Sequence, residues 1–364
     1  MGNSEETDNI YRISFDELKS FVQEIFKNAG LSDLDAELIA DVLVKTDLRG
    51  VTSHGVIRLP FYVKRLLRGG AKTHPDIKIV KEGISYAVVD GDNGLGHIIG
   101  IRCMEIAIEK AKKSGIACAV ARNSDHIGAL AYYAMMALKE NMIGMAWTNG
   151  FPGMAPWGGR ESKICNNPIA IAAPAAKRDP IVLDMATSVV AGGKVRVAAK
   201  KGECIPKGWI IDKDGKHTEN PNDLFGEGGG GAVLPIGYKG YGLAIIGEIL
   251  SGVLSGGRIL DEIPLFFTNL EKQVGNGHFH IAIDISKFCE VQNFKARVDQ
   301  IVKILKATPL MEDFDEILVP GDPEARNAEE QTRNGIAIPE AVIGDLILLA
   351  ENLKVNIPKT FKHQ

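Results

Sequence analysis

Residues 52–66, TSHGVIRLPFYVKRL, gather Ser53, His54, Arg58 and Tyr62 into one short stretch, the last three at steps of four. On a helix that step stacks side chains about 6 Å apart along one stripe. An imidazole passes protons near neutral pH. A guanidinium grips a carboxylate through two parallel bonds. The spacing therefore predicts a helix capped by Ser53, kinked at Pro60, with an acid clamp beside a proton donor. The plain alternative is a capped surface helix with a solvated arginine and a packed tyrosine.

Other segments carry chemistry too. In RNSDHIGALAYY, His126 falls where a helix over about 127–140 should begin, and the helix dipole would keep it neutral, suited to polarising a carbonyl or acting as a base. The strand PIVLDMA delivers Asp184 to its end, where it could orient a histidine or hold a ribose hydroxyl. Thr187 and Ser188 are then expected to open a helix and form an anion pocket. GYKGYG sets Lys239 between glycines, with its ammonium open to a phosphate, although no G-K-[ST] of a Walker loop follows. Lys194 and Arg196 are candidates for a cofactor 2′-phosphate. No metal is expected: His278 and His280 share one face of a strand but lack a third ligand, and read as surface residues. Without a G-x-S-x-G elbow, Ser53 is not a hydrolase nucleophile.

Residues 88–126 imitate a dinucleotide site: strand, glycine turn, helix, strand, acid. Gly94 and Gly96 fit G-x-G-x-x-G, but Ile99 takes the third place and Gly100 comes one residue late, about 100° around the helix. Asp125 lies farther along the chain than the roughly 20 residues at which the ribose-binding acid is expected. A glycine turn feeding a packing helix is the favoured reading.

The elements that must position these residues follow from the hydrophobic period. Residues 1–9 form a polar, acidic tail. Residues 10–70 are helical, with Ser14 and Ser32 or Asp33 as caps. From about 77 short apolar runs alternate with helices near 97–114, 127–140, 189–200 and 240–254. Residues 225–242, FGEGGGGAVLPIGYKGYG, make a glycine-dense loop, and 335–355 a last helix. The fold class is α/β (α+β). The chain has 364 residues, 45% hydrophobic and 24% charged, with a formal net charge of −4 and 6% aromatics, which argues against nucleic acid or anionic membrane as the main partner. Five scattered cysteines without a C-x-x-C pair read as buried, reduced thiols of a cytoplasmic protein.

The segments SHGVIRLPFY, VVDGDNGLGHIIG, RNSDHIGALAYY, WTNGFPGMAPWGG, NNPIAIAAPA, LDMATSVVAGGKV, FGEGGGGAVLPIGYKGYGLA and PGDPE resemble, in order, the non-Rossmann malate/L-lactate dehydrogenase family. That family includes malate, sulfolactate and ureidoglycolate dehydrogenases, a diketogulonate reductase and cyclic-imine reductases. The resemblance implies an L-sulfolactate dehydrogenase-like, non-Rossmann fold. A helical region, 10–80 joined by 300–364, would face the substrate, and a mixed-sheet region, 81–299, would hold the cofactor. It implies NAD or NADP against Thr148 and Asn149, Asp184, Met185, Ala186, Thr187 and Ser188, Lys239 and Gly240, and Gly321, Asp322 and Pro323, where the family usually has Glu in place of Asp322. It makes DGDNGLGH structural. The substrate side falls to Ser53, His54, Arg58, Tyr62 and His126, with a 2-hydroxy or 2-oxo acid, malate first, as substrate. Two residues, His54 and His126, are candidates for the proton donor; the stripe that His54 shares with Arg58 favours His54, with His126 then polarising the carbonyl, and Asp184 could fix the tautomer of one imidazole. A homodimer is implied as well.

Overall fold

Ser14 and Ser32 accept hydrogen bonds from Glu17 N and Asp35 N, so the first two helices each start with a satisfied amide. In the computed structural model, which describes residues 9–225 and 229–361, a short strand β1 (Ile10–Ile13) precedes helices α1 (Phe15–Asn28) and α2 (Asp33–Leu48). Nearly all of the expected acidic tail, and residues 226–228 of the glycine-dense loop, lie outside the described residues. α1 buries Leu18, Phe21, Val22, Ile25 and Phe26 on one stripe. Two 3₁₀ turns, Thr52–His54 and Val56–Arg58, lead into α3 (Leu59–Leu67). The single kinked helix expected here does not form. Pro60 lies in the first turn of α3, where its missing N–H costs nothing, so it starts a helix instead of bending one.

Then follow β2 (Lys78–Glu82), β3 (Tyr86–Asp90), α4 (Gly96–Ser114), β4 (Ile116–Ser124), α5 (Ala131–Met136), β5 (Met142–Thr148), β6 (Ile169–Ala173), β7 (Ile181–Met185) and α6 (Gly192–Lys201). The short strands β8 (Ile210–Ile211), β9 (His217–Thr218) and β10 (Ala232–Val233) make a small sheet, with α7 (Asn222–Phe225) between the last two. The chain ends with α8 (Gly237–Glu248), β11 (Asn276–Asp284), α9 (Val291–Lys306), α10 (Asp322–Asn334), β12 (Ile336–Pro339) and α11 (Glu340–Leu353).

The main sheet has seven strands in the order β2-β3-β4-β11-β5-β6-β7. Only β3 and β4 are parallel; every other neighbouring pair is antiparallel. A doubly wound dinucleotide fold needs successive parallel crossovers, and here β3–α4–β4 is the one such unit in this sheet.

β12 pairs antiparallel with β1, Ile336 opposite Ile13, and ties the end of the chain to its beginning. The helix expected over 335–355 therefore opens as a strand, and Pro339, which cannot donate to a ladder, ends it. One core gathers Leu18, Phe26, Leu43, Leu59, Ile338, Leu346 and Phe361; a second lies between the sheet and α4 and α5. α2 feeds both, Ile39 and Leu43 into the first and Val42 into the second. α9 runs across residue 300, and its Asp299 accepts hydrogen bonds from the amides of Ala176 and Lys177, after β6. All five cysteines are unpaired, but Cys204 and Cys289 are exposed, not buried as expected. No helix among the described residues is long and apolar enough to cross a membrane.

Candidate active site

The segment after α2 is held from beneath by one carboxyl group. Asp47 is buried, and its Oδ2 accepts a hydrogen bond from Val56 N at 2.7 Å. Gly55 lies directly on that carboxyl; a Cβ there would sit 2.0 Å from Oδ1, so only glycine fits. Burial, opposed by that one bond, pushes Asp47 up to about 8. The turn so formed puts Ser53 Oγ 2.9 Å from His54 Nδ1, and Arg58 Nε donates to Ser53 O at 2.8 Å. Ser53 thus meets an imidazole and caps no helix. His54 and Arg58 both bond to Ser53, and two 3₁₀ turns carry them in place of the expected helical stripe. Burial, reinforced by the Arg58 guanidinium, pushes His54 down to about 4.

The His126 ring lies 5.9 Å from that of His54, nearly parallel at 18°. It belongs to an irregular segment before α5, so it is not at a helix start. Burial first, then the nearby His54 imidazole and the Arg58 guanidinium, hold it well below the usual histidine range, and the helix dipole is not needed. Its backbone N donates to Asp125 Oδ1 at 2.6 Å, while Asp125 Oδ2 takes Arg65 Nη2 at 2.6 Å and Nε at 2.9 Å. Both members of that pair are sealed from solvent, so Asp125 reads no ribose. A Cβ on Gly96 would lie 2.3 Å from Asp125 O and 2.6 Å from His126 O. Protein backbone fills the place a pyrophosphate would need; the glycine turn seats α4 against the loop that carries His126.

Tyr62 is a correction. It is fully buried, with no surface to offer a substrate, and its hydroxyl lies 2.7 Å from His126 Nδ1. Burial holds its phenol above the usual range. The hydroxyl has no other partner among the described residues, so accepting from Nδ1 would strand a buried O–H. We therefore assign the donor role to Tyr62, which leaves the ring hydrogen of His126 on Nε2. Phe61, Phe151, Phe266 and Phe267 pack into an aromatic wall, with Phe266 at 5.4 Å from His126 and the Arg58 guanidinium 5.4 Å above Phe267. The sequence reading missed this wall; the adjacent phenylalanines of IPLFFT were its only signal.

The expected cofactor residues divide. Thr148 and Asn149 have no side chain to offer: Thr148 Oγ1 is taken by Gly277 O and His278 Nδ1, and Asn149 by Glu248, Arg258 O and Gly277 N. His278 and His280 are buried, not on the surface. Among the described residues Asp184 orients no histidine; its Oδ2 accepts from Ala131 N at 2.7 Å and starts α5. Met185 ends β7, and Ala186 follows it in the bend toward Thr187. Thr187 and Ser188 open no helix, since α6 begins at Gly192; Thr187 Oγ1 donates to Asn166 O and Ser188 Oγ to Val190 O. Lys239 stands in the first turn of α8, not in a loop, and is exposed. A Cβ on Gly240 would lie 2.6 Å from Thr187 O, so that glycine brings α8 onto the 187–188 backbone. Asp322 is not free for a ribose: Arg178 at 2.6 Å and Lys306 at 2.5 Å hold its carboxylate. Gly321 takes a φ of +97°, and Asp322 and Pro323 begin α10, a helix the sequence reading did not foresee.

Paired neutral imidazoles and an uncommitted guanidinium, set beside a mixed sheet, define a class: a hydroxy-acid oxidoreductase built without a Rossmann fold. The family model of malate/L-lactate dehydrogenase matches residues 13–347. The malate dehydrogenase of Pyrococcus horikoshii is 41% identical over 96% of this chain and 97% of its own. The L-sulfolactate dehydrogenase of Methanocaldococcus jannaschii is 40% identical over 93% and 96%. The solved structure of the Pyrococcus horikoshii malate dehydrogenase aligns with a TM-score of 0.88 at 38% identity, covering 98% of this chain and 99% of that one. The chain belongs to the malate/L-lactate dehydrogenase family. The resemblance noted in the sequence, the mixed-sheet fold and the dehydrogenase class are all borne out.

Proposed function

We propose that the protein interconverts a small 2-hydroxy acid and its 2-oxo acid, with malate and oxaloacetate as the first pair. The carrying observation is Arg58: its Nε is tied to Ser53 O, its other nitrogens have no acidic partner among the described residues, and two stacked imidazoles stand beside it. A nicotinamide, NAD or NADP, supplies or accepts the hydride at C2 when bound. Its anionic part suits the Lys239 ammonium at the start of α8, where Gly240 closes on Thr187 and Ser188. The free oxygen of Asp184 and the backbone of 321–323 are further candidates to hold it.

Arg58 clamps the substrate carboxylate, with the Ser53 hydroxyl beside it. His126, neutral, donates from Nε2 to the carbonyl oxygen and polarises C2. His54 gives a proton to the nascent alkoxide on reduction and takes it back on oxidation. Its low affinity for protons in the free chain rises when an anion binds nearby, so the acid and the proton arrive together. The unpaired cysteines favour a cytoplasmic setting. We further propose a homodimer in which 10–80 with 300–364 serves the acid and 81–299 the cofactor.

The test is a panel of malate, sulfolactate, ureidoglycolate, 2-oxo acids and cyclic imines, each with NAD(H) and NADP(H), followed at the nicotinamide absorbance. His54→Ala should cut kcat on the order of 10²–10⁴-fold. Wild-type turnover by that variant would remove His54 from the role, and ligand binding without any turnover would make the protein a non-catalytic relative.

A further inference from the structure

Arg58 is not alone at the aromatic wall. Arg196, on α6, lies over the ring of Phe225 at 4.6 Å and over that of Phe267 at 5.6 Å. Arg58 lies over the same Phe267 ring at 5.4 Å. Two guanidinium groups that share one ring centre at those distances are at most about 11 Å apart. Neither has an acidic partner within salt-bridge distance among the described residues, and each carries its charge against the other. Like charges brought this close from two different elements raise the local positive potential and favour an anion with more than one charge.

We propose that Arg196 is a specificity-determining residue that binds the second acidic group of a dianionic 2-oxo acid, opposite the C1 carboxylate held by Arg58. This rests on the substrate class proposed above and narrows it. In an extended four-carbon diacid the carboxyl carbons lie roughly 4–5 Å apart, and each would stand about 4 Å from its guanidinium carbon, a span on the order of 12 Å. Phe267 holds the two cations within about 11 Å of each other, so the carboxylates of such a diacid would reach both at an angle to the line between them. A monoanion such as pyruvate reaches only one of the two cations. The assignment gives Arg196 to the acid, not to a cofactor phosphate.

The experiment compares Arg196→Gln and Arg196→Lys with the unaltered full chain on oxaloacetate, a sulfonate analogue of it, pyruvate and 2-oxobutyrate. Arg196 is exposed, so both variants should fold. The Gln variant should lose at least tenfold more kcat/KM on the two dianions than on the two monoanions, mainly through KM. Lys should fall between, keeping the charge but not the planar fork. Equal losses on all four acids, or a change confined to the NADH:NADPH ratio, would overturn the assignment. If no acid is turned over by any form, the functional reading fails by itself. Calorimetric titration with oxaloacetate and pyruvate then decides the role of Arg196, by whether Gln weakens only the dianion.

Discussion

Tyr62 and Arg65 stand three residues apart on α3, and both act on His126. Arg65 fixes its backbone through Asp125, and Tyr62 fixes its ring through Nδ1. Tyr62→Phe removes one hydroxyl and keeps the ring that packs at 4.7 Å against His97 and at 5.5 Å against Phe61. Nδ1 is then free to carry the ring hydrogen, and part of the His126 population presents Nε2 without its hydrogen, an acceptor where a donor is needed. We expect kcat to fall more than about tenfold with KM within a few-fold, because a misplaced tautomer costs rate more than binding. Nitrogen-15 spectra of histidine-labelled protein should show His126 with its proton on Nε2 in the unaltered chain and a mixture in the variant. An Nδ1-protonated ring in the unaltered chain would refute the assignment. Helical spacing marked Tyr62 as part of the site but gave it the wrong task. Spacing along one segment says which residues are near each other, not that an imidazole more than 60 positions away would stand in front.

The turn that carries His54 and Arg58 inherits its shape from α2, and this makes it sensitive to pH. Asp47 ionises near 8 in the folded chain against about 4 when unfolded, so the folded state binds the extra proton between those values. The stability this gives is present below about pH 4 and is lost as pH rises through 8. His54 has the opposite sign: its stability is present above about 6.5 and lost as pH falls through about 4. Asp47→Asn keeps an acceptor for Val56 N and cannot ionise. Relative to the variant, the unaltered chain should lose on the order of 3–4 kcal/mol between pH 5 and 8, read from urea midpoints. Parallel pH curves would show that Asp47 is ionised throughout. At this scale much was legible: the caps at Ser14 and Ser32, the helix from Gly96 to Ser114 and the strand-rich middle follow from local grammar. What stayed hidden depended on distant partners. Thr148 and Asn149 are spent on β11 and α8, and Asp184 on α5. α10 carries few apolar residues, so its period is faint beside the Gly321–Pro323 start.

Across the molecule, the antiparallel pairing of β1 with β12 places α11 in the same core as α1, α2 and α3. Leu346 is fully buried there, and Leu346→Ala should cost about 2–5 kcal/mol, the transfer term plus the cavity it leaves. The two cores meet through α2 and the first turn of α4, whose Ile98 enters the first core, but otherwise draw largely on different elements, so the loss need not be shared evenly. Hydrogen exchange in the variant should accelerate together in α1, α3 and α11, as one cooperative unit, while β4, β5 and β11 keep their protection. α2 should show an intermediate response, since Val42 anchors it to the second core. Because the 51–58 turn rides on the end of α2, the same variant should bind a 2-oxo acid more weakly near its melting range while retaining nicotinamide affinity. Exchange that rises uniformly over the sheet and the helices would mean a single folding unit and would remove the proposed division of labour between residues 10–80 with 300–364 and residues 81–299. Exchange confined to α11 would mean that the terminal helix is only appended, and the N-terminal helices would then have to hold the 51–58 turn without it.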